Sequence, residues 1–313
     1  MLDPASTNVT PANDDVVDEI AFTSDGIRIV GHLRRPSSPL GPAPAVLLTG
    51  PFTGVKEQVT GTYARGLTAR GYITLALDHR NFGASEGTPR QHEDSVGKLH
   101  DLRDATSYLA THPDVDERRL GCVGVCLGAS YALRQSAFDP RIRALALIAG
   151  AYNDPAVMRS NMGDENYRRL MADFAGVAQR QFVTGDAEYL AAVAEDQGQA
   201  AMPGDEPWRY YGTDRAASQG WVNQVTRVSI RELLTLDATS AVDFLAPTPL
   251  LVIHGRIDAY CSPDDAQRIY ERASGTKDLV WLDTAEHIDL YDNPLFVSPA
   301  IDRTAAFLAD HLV

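Results

Sequence analysis

Cysteine is scarce, with 3 among 313 residues. No pairing can use all of them, so a disulfide framework is excluded as the source of stability. Cys122 and Cys126 fall on one apolar run, and on an extended strand they would sit ~13 Å apart, beyond the ~7 Å that a bridge allows. All three are expected as reduced thiols. Positive charge is also in deficit, because 28 Lys and Arg stand against 42 Asp and Glu for a net charge of −14. A surface of that sign repels phosphate backbones and anionic headgroups, which argues against nucleic acid or a membrane surface as partner. No run approaches the ~20 consecutive apolar residues of a membrane span, and the opening residues carry neither a basic stretch nor a signal-type apolar core. A cytoplasmic setting is expected. Internal repeats and low-complexity tracts are missing too.

What remains is an ordinary folded composition, 44% apolar and 22% charged with 24 Gly and 18 Pro, long enough for one large domain or two small ones. Residues 1–18 are polar, acidic and rich in Pro, Asn and Thr, and read as a disordered leader. EIAFTSDGIRIVGHLRRP then alternates around the turn signal Ser24-Asp25-Gly26, which predicts a hairpin. Beyond Pro44 come short continuous apolar runs: AVLL at 45–48, YITLAL at 72–77, LGCVGV at 120–125, ALALIA at 144–149, PLLVIH at 249–254 and LVWL at 279–282. Such runs suit strands buried on both faces. Helical spacing lies between them, at 96–109, 129–137, 263–273 and 300–312, so the chain reads as a parallel α/β sheet with crossover helices. Segment 153–246 shows no convincing strand, and NYRRLMADFAGVAQRQ, DAEYLAAVAED and RVSIRELLTL look helical, with links such as MPGDEPWRYYGTDR. It is too long for a structureless loop and predicts a helical insertion over one end of the sheet.

The sharpest chemical feature is Gly124-Val125-Cys126-Leu127-Gly128, a small-residue frame around a candidate nucleophile where an apolar strand meets a helix. A turn that tight admits only Gly-sized residues two positions before and after the nucleophile. A dinucleotide-binding turn does not fit, because Gly121, Gly124 and Gly128 lack the G-x-G-x-x-G spacing. Cys122 reads as core, and Cys261 as a loop thiol without a chemical task. A nucleophilic thiol needs a base, and the base an orienting carboxylate. PLLVIHGRID places Asp258 just past one buried strand, and LVWLDTAEH places His287 just past the next. Of 8 histidines only His254, His287 and His311 follow Cys126. His254 lies within a strand and His311 near the end, which leaves His287. Asp264 and Asp265 read as helix-opening acids after Ser262-Pro263, and Asp289 is too close to His287 in sequence. For the oxyanion, the backbone N–H of Leu127 and one from the turn Thr49-Gly50-Pro51-Phe52-Thr53-Gly54 are expected. Pro51 has no N–H, so Phe52 is the second donor.

With these pieces placed, the chain resembles the alpha/beta-hydrolase superfamily, in the branch near dienelactone hydrolases and the bacterial and fungal relatives that include trans-acting polyketide transferases. The resemblance is carried by TGPFTGVKEQ at 49–58, HRNFGASEGTPRQHED at 79–94, GVCLGASYA at 124–132, HGRID at 254–258 and EHIDLYD at 286–292, and it spans most of 45–313. Relatives tend to have His where this chain has Gly50. The resemblance implies an alpha/beta-hydrolase fold over 19–313, a mostly parallel twisted sheet flanked by helices with an N-terminal hairpin and 153–246 as an inserted helical cap. It also implies a Cys126-His287-Asp258 mechanism through an acyl-cysteine, with no cofactor and no metal. The expected activity is hydrolysis of an activated ester, lactone or thioester; the alternatives are acyl transfer or cyclisation of secondary-metabolism type, and a non-catalytic binder of a small ligand beneath the cap. The expected partner is a small-molecule acyl substrate, with neither nucleic acid nor membrane, and with room for a homo-oligomer. Trp208, Tyr210, Tyr211 and Trp221 are candidates for an apolar pocket lining or for plain cap packing.

Overall fold

Each apolar run becomes a strand of one sheet. The computed structural model describes residues 15–37, 41–196 and 198–313. The hairpin is β1 (Asp15–Ser24) and β2 (Ile27–Pro36), turning at Asp25 and Gly26, both with positive φ. There follow β3 (Ala43–Thr49), α1 (Val59–Thr68), β4 (Ile73–Asp78), α2 (Ser95–Thr111), β5 (Val115–Val125), α3 (Gly128–Phe138) and β6 (Ile142–Ile148). The segment before the sheet resumes holds α4 (Pro155–Met162), α5 (Asp164–Thr184), β7 (Tyr189–Ala194), β8 (Ala200–Pro203), α6 (Asp205–Tyr211), β9 (Val225–Thr226) and α7 (Ser229–Thr235). The chain closes with β10 (Leu250–Gly255), α8 (Pro263–Arg272), β11 (Lys277–Leu282), α9 (Asp289–Asp292) and α10 (Pro294–His311).

The large sheet runs β1-β2-β4-β3-β5-β6-β10-β11, antiparallel at the hairpin and parallel from β4 onward. Its central strands show no polar alternation because both faces are covered. Leu47, Cys122, Leu145 and Val252 enter one core, while Val46, Leu48, Val123, Ala146 and Ile253 enter the other. The strand order reverses between β3 and β5, and crevices that bind ligands open at the carboxyl ends of strands flanking such a switch point. The turn after β3 and the turn after β5 both lie there.

Three expectations need correction. Residues 15–18 are not part of a leader, since β1 begins at Asp15 and pairs Asp15 with Pro36. Opposite charge on β2 explains the ordering: Arg34 donates to Asp15 at 2.6 Å, and Arg35 pairs with Asp18. The leader's remainder, 1–14, lies outside the described residues. Second, the inserted segment is not wholly helical. DAEYLAAVAED becomes β7, flanked by β8 and β9 in a separate sheet; its apolar spacing is ambiguous, and strand pairing overrides the helix propensity of its alanines. Third, MPGDEPWRYYGTDR is more than a link, because it carries α6. Toward its end the insertion has already rejoined the main body, with Ala241, Val242 and Leu245 in the core that covers α3.

Candidate active site

The end of β5 turns into α3 through Cys126, whose φ of 55° is a left-handed conformation uncommon outside glycine. Its N–H donates to the Ile148 carbonyl at 3.0 Å, and its own carbonyl accepts from Ala129 and Ala151 at 2.9 Å each, so the turn is tied to β6. The flanking glycines are sterically required. A Cβ on Gly124 would stand 2.5 Å from the Gly128 carbonyl oxygen, and one on Gly128 would stand 2.2 Å from that of Thr49. Gly128 therefore presses the start of α3 against the turn after β3. There Phe52 is buried and Thr53 has φ 62°. Among the described residues no backbone carbonyl accepts the N–H of Phe52 or of Leu127.

Asp258 lies just past β10 and His287 just past β11, where the sheet brings both loops beside the β5 turn. His287 Nδ1 and Asp258 Oδ2 are 2.6 Å apart. The other Asp258 oxygen accepts from the N–H of Tyr260 at 2.9 Å and of Cys261 at 2.7 Å, which fixes the carboxylate. The ring's far nitrogen, Nε2, lies 3.0 Å from the Tyr291 hydroxyl. Cys126 Sγ, Cys261 Sγ and the His287 ring nitrogen all fall within 4.8 Å of one another. His254 stays neutral in the core: burial lowers its pKa, its Nδ1 lies 3.0 Å from the Gly255 carbonyl oxygen, and its Nε2 is 3.9 Å from Asp258. Asp264 and Asp265 open α8, and Asp289 caps Ala285 and Glu286, so none of the three reaches His287 Nδ1.

The electrostatics favour an ion pair. The Cys261 thiol, 3.9 Å away, donates to Cys126 and holds its pKa well below the usual thiol range; burial opposes this and the His287 charge adds to it. His287 would be pushed down by burial, yet the Cys126 charge and the Asp258 bond lift it to about 10. Both shifts point the same way, toward a Cys126 thiolate paired with a His287 imidazolium. Cys122, wholly buried in the core, is pushed up to about 12. Iodoacetamide should therefore alkylate Cys126 at a rate nearly flat between pH 8.5 and 6.5, where an ordinary thiol of pKa ~8.5 slows by well over tenfold. Peptide mass spectrometry of each cysteine across that range checks it, and a slope like that of a free thiol would dismiss the ion pair.

Sequence reasoning missed the company these residues keep. Cys261 lies in a loop as expected, and that loop buries it 3.9 Å from both Cys126 Sγ and His287 Nε2. Cys-Ser-Pro after HGRID offered no pattern that would have marked it. Tyr291 stands four residues beyond His287, on the next helical turn, a spacing that was readable. Helix α6 clamps the His287 loop: Glu206 accepts the Ile288 N–H at 2.9 Å, and Arg209 donates to Glu286 at 2.7 Å. Tyr210 and Tyr211 pack edge-on against Tyr291, and Trp221 stacks on Tyr211 and points its indole N–H at Thr53.

Comparison with known proteins agrees with this architecture. Residues 54–293 match the family described as serine aminopeptidase, S33. The chain belongs to that family of alpha/beta-hydrolase enzymes. It is 31% identical over 276 residues to the uncharacterized protein YcjY of Escherichia coli, covering 86% of this chain and 89% of that one. The crystal structure of hypothetical protein PA2218 from Pseudomonas aeruginosa superposes with a TM-score of 0.85 at 26% identity, covering 95% and 94% of the two chains. The polyketide transferase grgF of a Penicillium species is 25% identical over 299 residues, 94% of this chain and 96% of its own. Among the described residues no helix is long and apolar enough to cross a membrane.

Proposed function

We propose that the protein hydrolyses an activated acyl substrate, an ester, lactone or thioester, through an acyl group carried on Cys126. The observation that supports this is the Cys126 sulfur on a strained strand-to-helix turn, beside an imidazole whose Nδ1 is held by Asp258. The thiolate attacks the acyl carbonyl, and the oxyanion is received by the Phe52 and Leu127 N–H groups. As the intermediate collapses, His287 gives its proton to the departing thiol or alcohol. Acylation removes the negative charge that raised the His287 pKa, so the ring becomes a neutral base able to take a proton from the acceptor. Water then releases the acid and restores the ion pair.

The same leaving-group chemistry limits the substrate. A thiolate leaves a tetrahedral intermediate more readily than alkoxide or amide nitrogen does, so an intermediate formed on a plain amide tends to revert unless its nitrogen is protonated first. Activated acyl groups are therefore expected to be better substrates for this cysteine-bearing member than the peptides of the family's description. The name of the Penicillium relative favours a second reading, transfer of the acyl group to an alcohol or amine. Both readings share the first half-reaction. Mixing the protein with a p-nitrophenyl ester or an acyl thioester should add one acyl mass to Cys126 within a turnover, read by intact and peptide mass spectrometry. Absence of that adduct under single-turnover conditions would dismiss the mechanism; product that depends on an added alcohol or amine, with hydrolysis suppressed, would select transfer.

A further inference from the structure

Cys261 has no assigned step in acyl transfer, yet it is buried against both reacting groups. We propose that Cys126, Cys261 and His287 form a binding site for one thiophilic divalent cation of the zinc class, and that filling it shuts off the thiol's acyl chemistry. Zinc takes thiolate at about 2.3 Å and imidazole nitrogen at about 2.0–2.1 Å, which at tetrahedral angles sets two sulfurs about 3.8 Å apart and sulfur from nitrogen about 3.6 Å apart. Here the sulfurs are 3.9 Å apart, Cys261 Sγ to His287 Nε2 is 3.9 Å, and all three donor atoms lie within 4.8 Å of one another. Closure onto a shared ion needs shifts of tenths of an ångström on the Cys261 side and of up to about 1 Å between Cys126 Sγ and His287 Nε2.

The surroundings fit as well as the distances. A zinc-binding histidine ordinarily hands its other nitrogen to a carboxylate, which fixes the ring and raises its basicity. Asp258 does this at His287 Nδ1, at 2.6 Å, and leaves Nε2 facing the sulfurs. Both Asp258 oxygens are engaged, by His287 and by the Tyr260 and Cys261 N–H groups, so the set offers sulfur and nitrogen without a free carboxylate. That donor set selects a soft or borderline ion over magnesium or calcium. Binding displaces the protons of Cys261 Sγ and His287 Nε2 to solvent and forms two metal–sulfur bonds and one metal–nitrogen bond, with no change of oxidation state. Its cost is the Tyr291 contact to Nε2. With both the thiolate lone pair and Nε2 committed to the ion, neither attack nor proton transfer is available.

Cobalt(II) is the probe, added to the full-length, reduced, chelator-treated protein. One equivalent should produce thiolate-to-cobalt charge-transfer absorption with tetrahedral d–d bands, both erased by competing zinc. Cys261→Ser should lose about half of the charge-transfer intensity and weaken binding by more than about 100-fold, since loss of a ligand exceeds the 10–100-fold seen for outer partners. Cys261→Ala serves if the serine variant melts below the wild type, and Cys122→Ala should keep the full spectrum. A folded wild type without a thiolate–cobalt band overturns the site, as does a band unchanged by either Cys261 variant. The spectrum is read without acyl substrate, so failure of the metal site and failure of the acyl mechanism remain separate results.

Discussion

Cys126→Ala should lower kcat/KM toward an acyl thioester by roughly 10⁴-fold or more, about 5 kcal/mol of transition-state stabilisation, while the protein stays folded. Its side-chain hydrogen bond is a long thiol contact with Cys261, and the backbone bonds of the turn, Cys126 N–H to Ile148 and Ala129 to Cys126, do not depend on the sulfur. Cys126→Ser should be nearly as inactive, for a different reason. A hydroxyl at that position is not ionised by a neighbouring imidazole, so the ion pair disappears and His287, relieved of the thiolate charge, drops from about 10 toward the range that burial imposes. Steady-state turnover and NMR titration of the His287 ring measure the two consequences. Wild-type turnover in the alanine variant would remove Cys126 from the mechanism.

Asp258→Asn should cost roughly 10³–10⁴ in kcat with a small change in KM. The amide can keep an oxygen toward the Tyr260 and Cys261 N–H groups, so the loop geometry survives. Toward His287 Nδ1 it then presents an NH₂ where a carboxylate accepted a proton at 2.6 Å. The ring is forced into the tautomer with hydrogen on Nε2, unable to act as base toward an acceptor. Loss of the carboxylate also lowers the His287 pKa, so the thiolate plateau in alkylation should retreat to higher pH in this variant. A kcat within threefold of wild type, in a protein whose melting temperature is unchanged, would contradict the role of Asp258.

How much of this was legible follows from which forces are local. The turn at Cys126 was readable because its sterics write themselves into the chain: glycine at 124 and at 128, each with no room for a Cβ. Asp258 and His287 were readable because a parallel sheet delivers the ends of successive strands to one edge, so chain order predicts spatial order. The place of Cys261 was not, because it is a distance across two loops, 3.9 Å to Cys126, and nothing near it in sequence signals that neighbour. The strand at 189–194 failed for a related reason. Its alanines prefer helix, and only the partners at 200–203 and at Val225–Thr226, supplied by the fold, decide otherwise. Asp15 and Asp18 looked like leader because acidity alone gives no hint of arginines waiting on an adjacent strand.

The contact between α6 and the His287 loop has an evolutionary consequence. Tyr210 and Tyr211 lean on Tyr291, Tyr291 touches Nε2, Glu206 accepts the Ile288 N–H after the histidine, and Arg209 holds the Glu286 side chain before it. Substitutions on α6 are thus expected to reach the tilt and basicity of the His287 ring. Sequence drift along α6 is therefore expected to arrive in steps, each followed by compensating change near Tyr291.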